Sequence, residues 1–132
     1  MTLQCSAFEL WLAGLEREVD EVVNKTTYLG EFEHMVVLSI LRLGDDAYGM
    51  SIRKELDTRT GRKVTRSTAY ITLERLTRKG YLTARMDDPS QTRGGKPKRY
   101  FSLTAAGRKA LRTSGRALMN LWDGHEELLE EG

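Results

Sequence analysis

At 132 residues, 39% hydrophobic and 30% charged, the chain has material for one core of ordinary size with one or two helices extending from it. No apolar run approaches the roughly 20 residues of a membrane span, the N-terminus carries Glu9 and Glu16 without a basic lead-in and so does not read as an export signal, and the single cysteine, Cys5, allows no internal disulfide. These exclusions point to a reducing, cytoplasmic setting, while a net charge of +2 conceals strong segregation: residues 61–112 hold fourteen Lys or Arg against three acids, net +11, between flanks of −5 and −4.

The first segment, Leu3 to Asn24, sets Phe8, Leu12, Leu15, Val19 and Val22 at steps of four and three, which predicts a helix with a narrow apolar seam. Glu31 to Leu43 is apolar around most of its circumference, as a helix covered by neighbours must be. Gly44 ends it, Asp45-Asp46 offers an N-cap, and a second helix is expected from Tyr48 to about Thr60 with Ile52 and Leu56 facing inward and Gly61 as the stop.

A third helix is expected from a Thr65 cap to Lys79, before Gly80. Ala69, Leu73 and Leu76 form its inward stripe, which leaves Arg66, Ser67, Thr68, Thr72, Arg75 and Lys79 on outer faces, with Tyr70 and Ile71 between core and surface. Tyr81–Met86 and Lys98–Leu103 read as two strands, the second placing Tyr100 or Phe101 against the core. Between them Asp87-Asp88-Pro89-Ser90 breaks structure, and Gly94-Gly95 permits an exposed tip amid Arg93, Lys96, Lys98 and Arg99.

The last segment is expected as one helix from a Thr104 cap to about Glu130, with Leu111, Gly115, Leu118, Trp122, His125 and Leu129 forming a second seam. Two seamed helices at the ends of so small a domain cannot both be buried on a three-helix core. A symmetric homodimer through Phe8, Leu12, Leu15, Val19, Leu111, Leu118, Trp122, His125 and Leu129 is the simplest solution, and it would present two copies of the Thr65–Lys79 helix, the expected recognition helix, about one DNA turn apart. The organisation is therefore a mainly α (α+β) fold: an N-terminal dimer helix at 1–27, a winged helix-turn-helix at 28–103, and a C-terminal dimerisation helix at 104–132.

Several strings occur together: Leu29-Gly30-Glu31-Phe32-Glu33, Asp46-Ala47-Tyr48-Gly49-Met50-Ser51-Ile52, Gly61-Arg62, Tyr70 to Leu76 with Lys79-Gly80-Tyr81-Leu82, Arg93-Gly94-Gly95-Lys96, and Arg99 to Gly107. In this combination, from about Leu29 to Leu111, the chain resembles the PadR family of bacterial transcriptional regulators, and its single C-terminal helix resembles the compact branch. The resemblance implies a winged-helix fold, homodimers joined by helices outside that domain, binding to inverted-repeat operators in double-stranded DNA, usual repression, and often release by a small-molecule effector. The N-terminal 28 residues are longer than the family's typical lead-in.

On this reading Lys63, Arg66, Ser67, Thr68, Tyr70, Thr72 and Arg75 are candidate DNA contacts from the recognition helix and its approach, and Arg93, Lys96, Lys98 and Arg99 from the wing. Arg66 suits a bidentate contact to guanine O6 and N7. Ser67 and Thr68 either meet phosphate or base edges at the helix start or only cap the helix. Tyr70 meets a phosphate or a thymine methyl, as the matching family position suggests, or is a core aromatic. Glu74 can pair with Arg78, and Arg75 can instead hold Glu55 or Asp57. The wing glycines let backbone approach the duplex while the cations displace counterions. Trp122 is either dimer core or one wall of an effector pocket between subunits.

Nucleotide-binding glycine patterns, zinc-ligand spacings and a nucleophile paired with a base are all missing from the sequence, so neither enzyme activity nor a cofactor or metal is expected. The competing non-enzymatic reading is a winged helix used for protein contact, which would have no use for so much positive charge in helix and wing.

Overall fold

The computed structural model describes Ala7, Leu10, Trp11 and residues 28–87 and 97–131. Ala7, Leu10 and Trp11 are helical. The seam residues Phe8, Leu12, Leu15 and Val19 lie outside the described residues, as do Arg93 and Lys96.

Helix α1 (Glu31–Leu43) runs through the centre, in contact with α2 (Gly49–Thr60), α3 (Arg66–Arg78), β2 (Arg99–Leu103) and α4 (Ala105–Trp122). Val36, Val37 and Ile40 are fully buried in it, because a helix touched on several sides must be apolar on each of them. Leu38 and Leu41 nevertheless remain exposed on one stripe. At its start Glu33 turns back to accept from the Gly30 N–H (3.2 Å) and also takes the Lys79 ammonium (2.9 Å), so one buried carboxylate ties the first turn of α1 to the end of α3.

Gly44 ends α1 with φ 60°, as the sequence predicts, but the start of α2 differs from expectation. Asp45 and Asp46 form a short 3-10 turn with Gly44, and the N-cap is Tyr48, whose N–H donates to Ser51 Oγ (2.9 Å). The displacement follows from a tertiary demand: Ala47 is wholly buried and its carbonyl accepts from the Phe101 N–H (2.8 Å), so residues 47–48 stay extended beside β2 before the helix begins. Gly61, in the left-handed region at φ 72°, stops α2 as anticipated.

Thr65 caps α3, its Oγ1 accepting from the Thr68 N–H (3.2 Å), and the helix closes at Lys79–Gly80 with Gly80 at φ 84°. The inward stripe is Ala69, Leu73 and Leu76, joined by Thr72, which is only 4% exposed. The outer-face assignment of Thr72 is thus corrected. At 100° per residue it stands beside Leu76 and Ala69, and α1 and α2 cover that side.

Strand β1 (Leu82–Met86) pairs antiparallel with β2, Leu82 opposite Leu103 and Ala84 opposite Phe101. The pleat sends Phe101 into the core and Tyr100 to the other face, where its ring meets Tyr48 edge-on at 5.5 Å.

Helix α4 begins at a Thr104 cap that both accepts from the Gly107 N–H (3.0 Å) and donates to the Gly80 carbonyl (2.6 Å). Its first half packs on the domain through Gly107, Ala110 and Ser114, and Ser114 Oγ accepts from the Leu29 N–H at 2.8 Å. Leu111, half-buried, packs against this chain's own core as well.

The helix also ends eight residues short of the expected Glu130. The Asp123-Gly124 pair turns the chain, Gly124 at φ 86°, into a 3-10 segment at Glu126–Glu130. His125 and Leu129 are therefore exposed beyond the helix and do not continue the Leu118–Trp122 face.

Candidate nucleic-acid interface

The N-terminal turn of α2, the outward side of α3 and the start of β2 enclose an open groove of about 880 Å³. Its floor is Ala69, Leu73 and Phe101, which belong to the core, and its banks are Tyr48, Met50 and Arg53 on one side, Arg66, Ser67, Tyr70 and Ile71 on α3, and Pro97, Lys98 and Arg99 on the strand.

The local sequence explains this placement. Thr65 caps α3 with its own hydroxyl, so the helix starts at Arg66, and Arg66, Ser67 and Thr68 occupy the exposed first turn. There the backbone N–H groups have no intrahelical acceptors and the helix dipole favours an anion. Arg53 holds the connection into α3 by donating to the Val64 carbonyl (2.9 Å). That bond aims the turn carrying Lys63 and Arg66.

The basic residues divide by what already occupies them. Lys63, Arg66 and Arg75 are exposed and form no ion pair among the described residues. Lys98 is exposed with its ammonium 4.4 Å from the centre of the Tyr48 ring, a contact that positions the charge without neutralising it. Arg99 differs from Lys98: its guanidinium pairs with Glu74 and lies 5.1 Å from the Phe101 ring centre. Glu74 therefore reaches the strand instead of Arg78.

Arg75 likewise does not hold Glu55 or Asp57. Glu55 accepts from Arg59 (2.7 Å) and Arg42 (3.1 Å), and those hydrogen bonds hold its carboxyl below the usual carboxylate range. Arg62 pairs with Glu31 (2.6 Å) and sits over Phe32, so it braces α1 against the α2–α3 connection.

Tyr70 is 60% exposed, which decides against its reading as a core aromatic. Thr72, buried, has no face to offer a ligand. Trp122 is half-buried at the end of α4 and takes no part in the groove. Sequence reasoning missed Tyr48, Met50, Arg53 and Ile71 as groove residues. The available signal was elimination, since Met50 and Arg53 fall off the Ile52–Leu56 stripe, but only the fold shows that they face α3 and β2.

Among the described residues no group of His, Cys, Asp and Glu could hold a metal ion, and no helix is long and apolar enough to cross a membrane.

The profile of the transcriptional regulator PadR-like family matches residues 37–113, more than half of the chain. The chain belongs to the PadR-like family. Among solved structures, a PadR family transcription regulator from Clostridium difficile is 23% identical with a TM-score of 0.61, covering 74% of this chain and 98% of its own. A PadR family transcriptional regulator from Eggerthella lenta is 25% identical with a TM-score of 0.57, covering 96% and 98%. The Bacillus subtilis PadR, solved in complex with operator DNA, is 22% identical with a TM-score of 0.54 over 63% of this chain and 45% of its own. A search of curated proteins found no match. The three helices and antiparallel hairpin are thus the winged helix of PadR-like regulators.

Proposed function

We propose that this PadR-like chain binds double-stranded DNA sequence-specifically as a homodimer and represses transcription from inverted-repeat operators. The observation that carries the reading is the first turn of α3, where Arg66, Ser67 and Thr68 stand exposed beside Lys63 and Lys98, which form no ion pair among the described residues. Such a helix start fits the major groove, with phosphate taken by backbone N–H groups and hydroxyls, and base edges read by Arg66. The wing, with Lys98 at its base and Arg93 and Lys96 in its connection, supplies the sequence-independent part.

Homodimerisation draws support from α4. The face that is buried in its first half by α1 and β2 continues into a second half where Leu118 and Leu121 are exposed among the described residues. A second copy would cover them and set the two recognition helices about one duplex turn apart. Effector release belongs to the same reading, because a subunit packed on Leu118 and Leu121 would close a pocket beside the half-buried Trp122.

Size exclusion and electrophoretic mobility shift with DNA flanking the chain's own gene test the proposal together. The expected result is a dimer that protects two inverted half-sites with centres about 10 base pairs apart. A stable monomer that shifts none of this DNA would overturn it. Arg66→Ala is expected to relax sequence preference, whereas Lys98→Ala is expected to weaken all sequences alike and flatten the salt slope.

A further inference from the structure

The outward side of α3 is not uniformly polar. With Ala69, Thr72, Leu73 and Leu76 buried, the opposite line of the helix runs through Ser67, Ile71, Glu74 and Arg78. Ile71 stands at the middle of that line and is 56% exposed. Across the groove Met50 is 68% exposed. An isoleucine and a methionine uncovered at the centre of a cationic groove need an apolar counterpart within a polyanionic partner.

A DNA major groove presents one such counterpart, the C5-methyl group of thymine. We infer that Ile71 reads a thymine methyl in each half-site, with Met50 as the adaptable opposite wall. The inference rests on the DNA-binding reading above and adds a specificity-determining residue to it.

Two features suit Ile71 to the role. Its β-branch leaves one strongly preferred χ1 in a helix, so its methyl groups are already oriented and little rotamer freedom is lost on contact. It also lies one turn beyond Ser67, so its apolar contact would fall next to the polar contacts of the first turn within the same groove. Met50, unbranched and polarizable, can follow small changes in base position. The surrounding charges, Arg66 and Lys98 on the same groove and Lys63 beside it, match a phosphate-flanked partner and not an apolar protein surface.

The test uses the full chain to select duplexes from a random pool, followed by resynthesis of the enriched sequence with deoxyuridine in place of thymidine at single positions, which removes only the methyl group. The expected result is one thymine per half-site at which the change weakens binding about fourfold, the worth of one buried methyl group. Ile71→Ala should bind thymine and uracil duplexes equally at that position. Alanine at an exposed helix site preserves the fold, and circular dichroism checks that it does. An enriched sequence whose thymines all tolerate uracil, or a thymine preference unchanged in Ile71→Ala, overturns this inference while leaving sequence-specific DNA binding intact. A pool from which no sequence enriches overturns both.

Discussion

Glu74, on α3, forms an ion pair with Arg99, at the start of β2. The pair joins two elements that would contact DNA separately, and it places a carboxylate in the middle of a cationic surface. Replacing Glu74 by Gln removes the negative charge and frees Arg99. Because the pair is about one-third exposed, the cost to folding should be only about 0.5–1 kcal/mol. Affinity for non-specific duplex should rise, with a salt slope steeper by roughly one per subunit, as fluorescence anisotropy across a salt series would show. An unchanged slope would mean that Arg99 stays out of reach of phosphate with or without its partner.

Gly107 sits against the Tyr81 carbonyl so closely that an added Cβ would overlap that oxygen, and the obstruction is backbone that cannot swing aside. Gly107→Ala is expected to destabilise the fold by about 1–3 kcal/mol, read as a lower denaturant midpoint. Gly115, two turns further along the same helix, meets nothing within 4 Å among the described residues of its own chain. Gly115→Ala should therefore raise stability by about 0.5–1 kcal/mol through helix propensity. A loss at Gly115 would show that a second subunit, or a segment of the chain outside the described residues, approaches there.

Ser114 accepts the Leu29 N–H across 85 residues of sequence, joining the chain just before α1 to the middle of α4. Its removal strands a part-buried donor. Ser114→Ala should cost about 1–3 kcal/mol and speed amide exchange at Leu29, an effect a purely local packing loss would not produce.

His34, on α1, has its pKa lowered from the ordinary histidine value of 6.5 by burial. The unfolded chain therefore binds a proton more readily than the folded one between the folded pKa and 6.5, and stability rises with pH across that window. The melting temperature should fall as pH drops below 6.5 and level off once the folded histidine is also protonated. His34→Gln should remove this part of the pH response, and an identical profile in the variant would assign it to other groups.

Local chemistry settled most element boundaries in advance. Gly44, Gly61 and Gly80 stop helices where left-handed backbone is needed, and the Thr65 and Thr104 hydroxyls start them by accepting from the backbone N–H three residues on. The stripes Ala69–Leu73–Leu76 and Ile52–Leu56 are equally local, since a helix's period follows from its geometry alone. The charge segregation and the motif strings that mark the PadR-like family are properties of the chain itself.

Where neighbours compete for a residue, the sequence could not choose. Thr72 looks polar and outward by composition but is enclosed by helices on its side of α3, and Glu74 has Arg78 one turn away yet pairs with Arg99, 25 residues distant. Leu111 fits a dimer seam by spacing but also packs against its own core, while Ala47 is held extended by the Phe101 N–H and so delays α2 past the aspartates that offered a cap. Periodicity and capping depend on a few adjacent residues and are legible along the chain. Which stripe is covered, and which cation is already paired, depends on elements that meet only after folding.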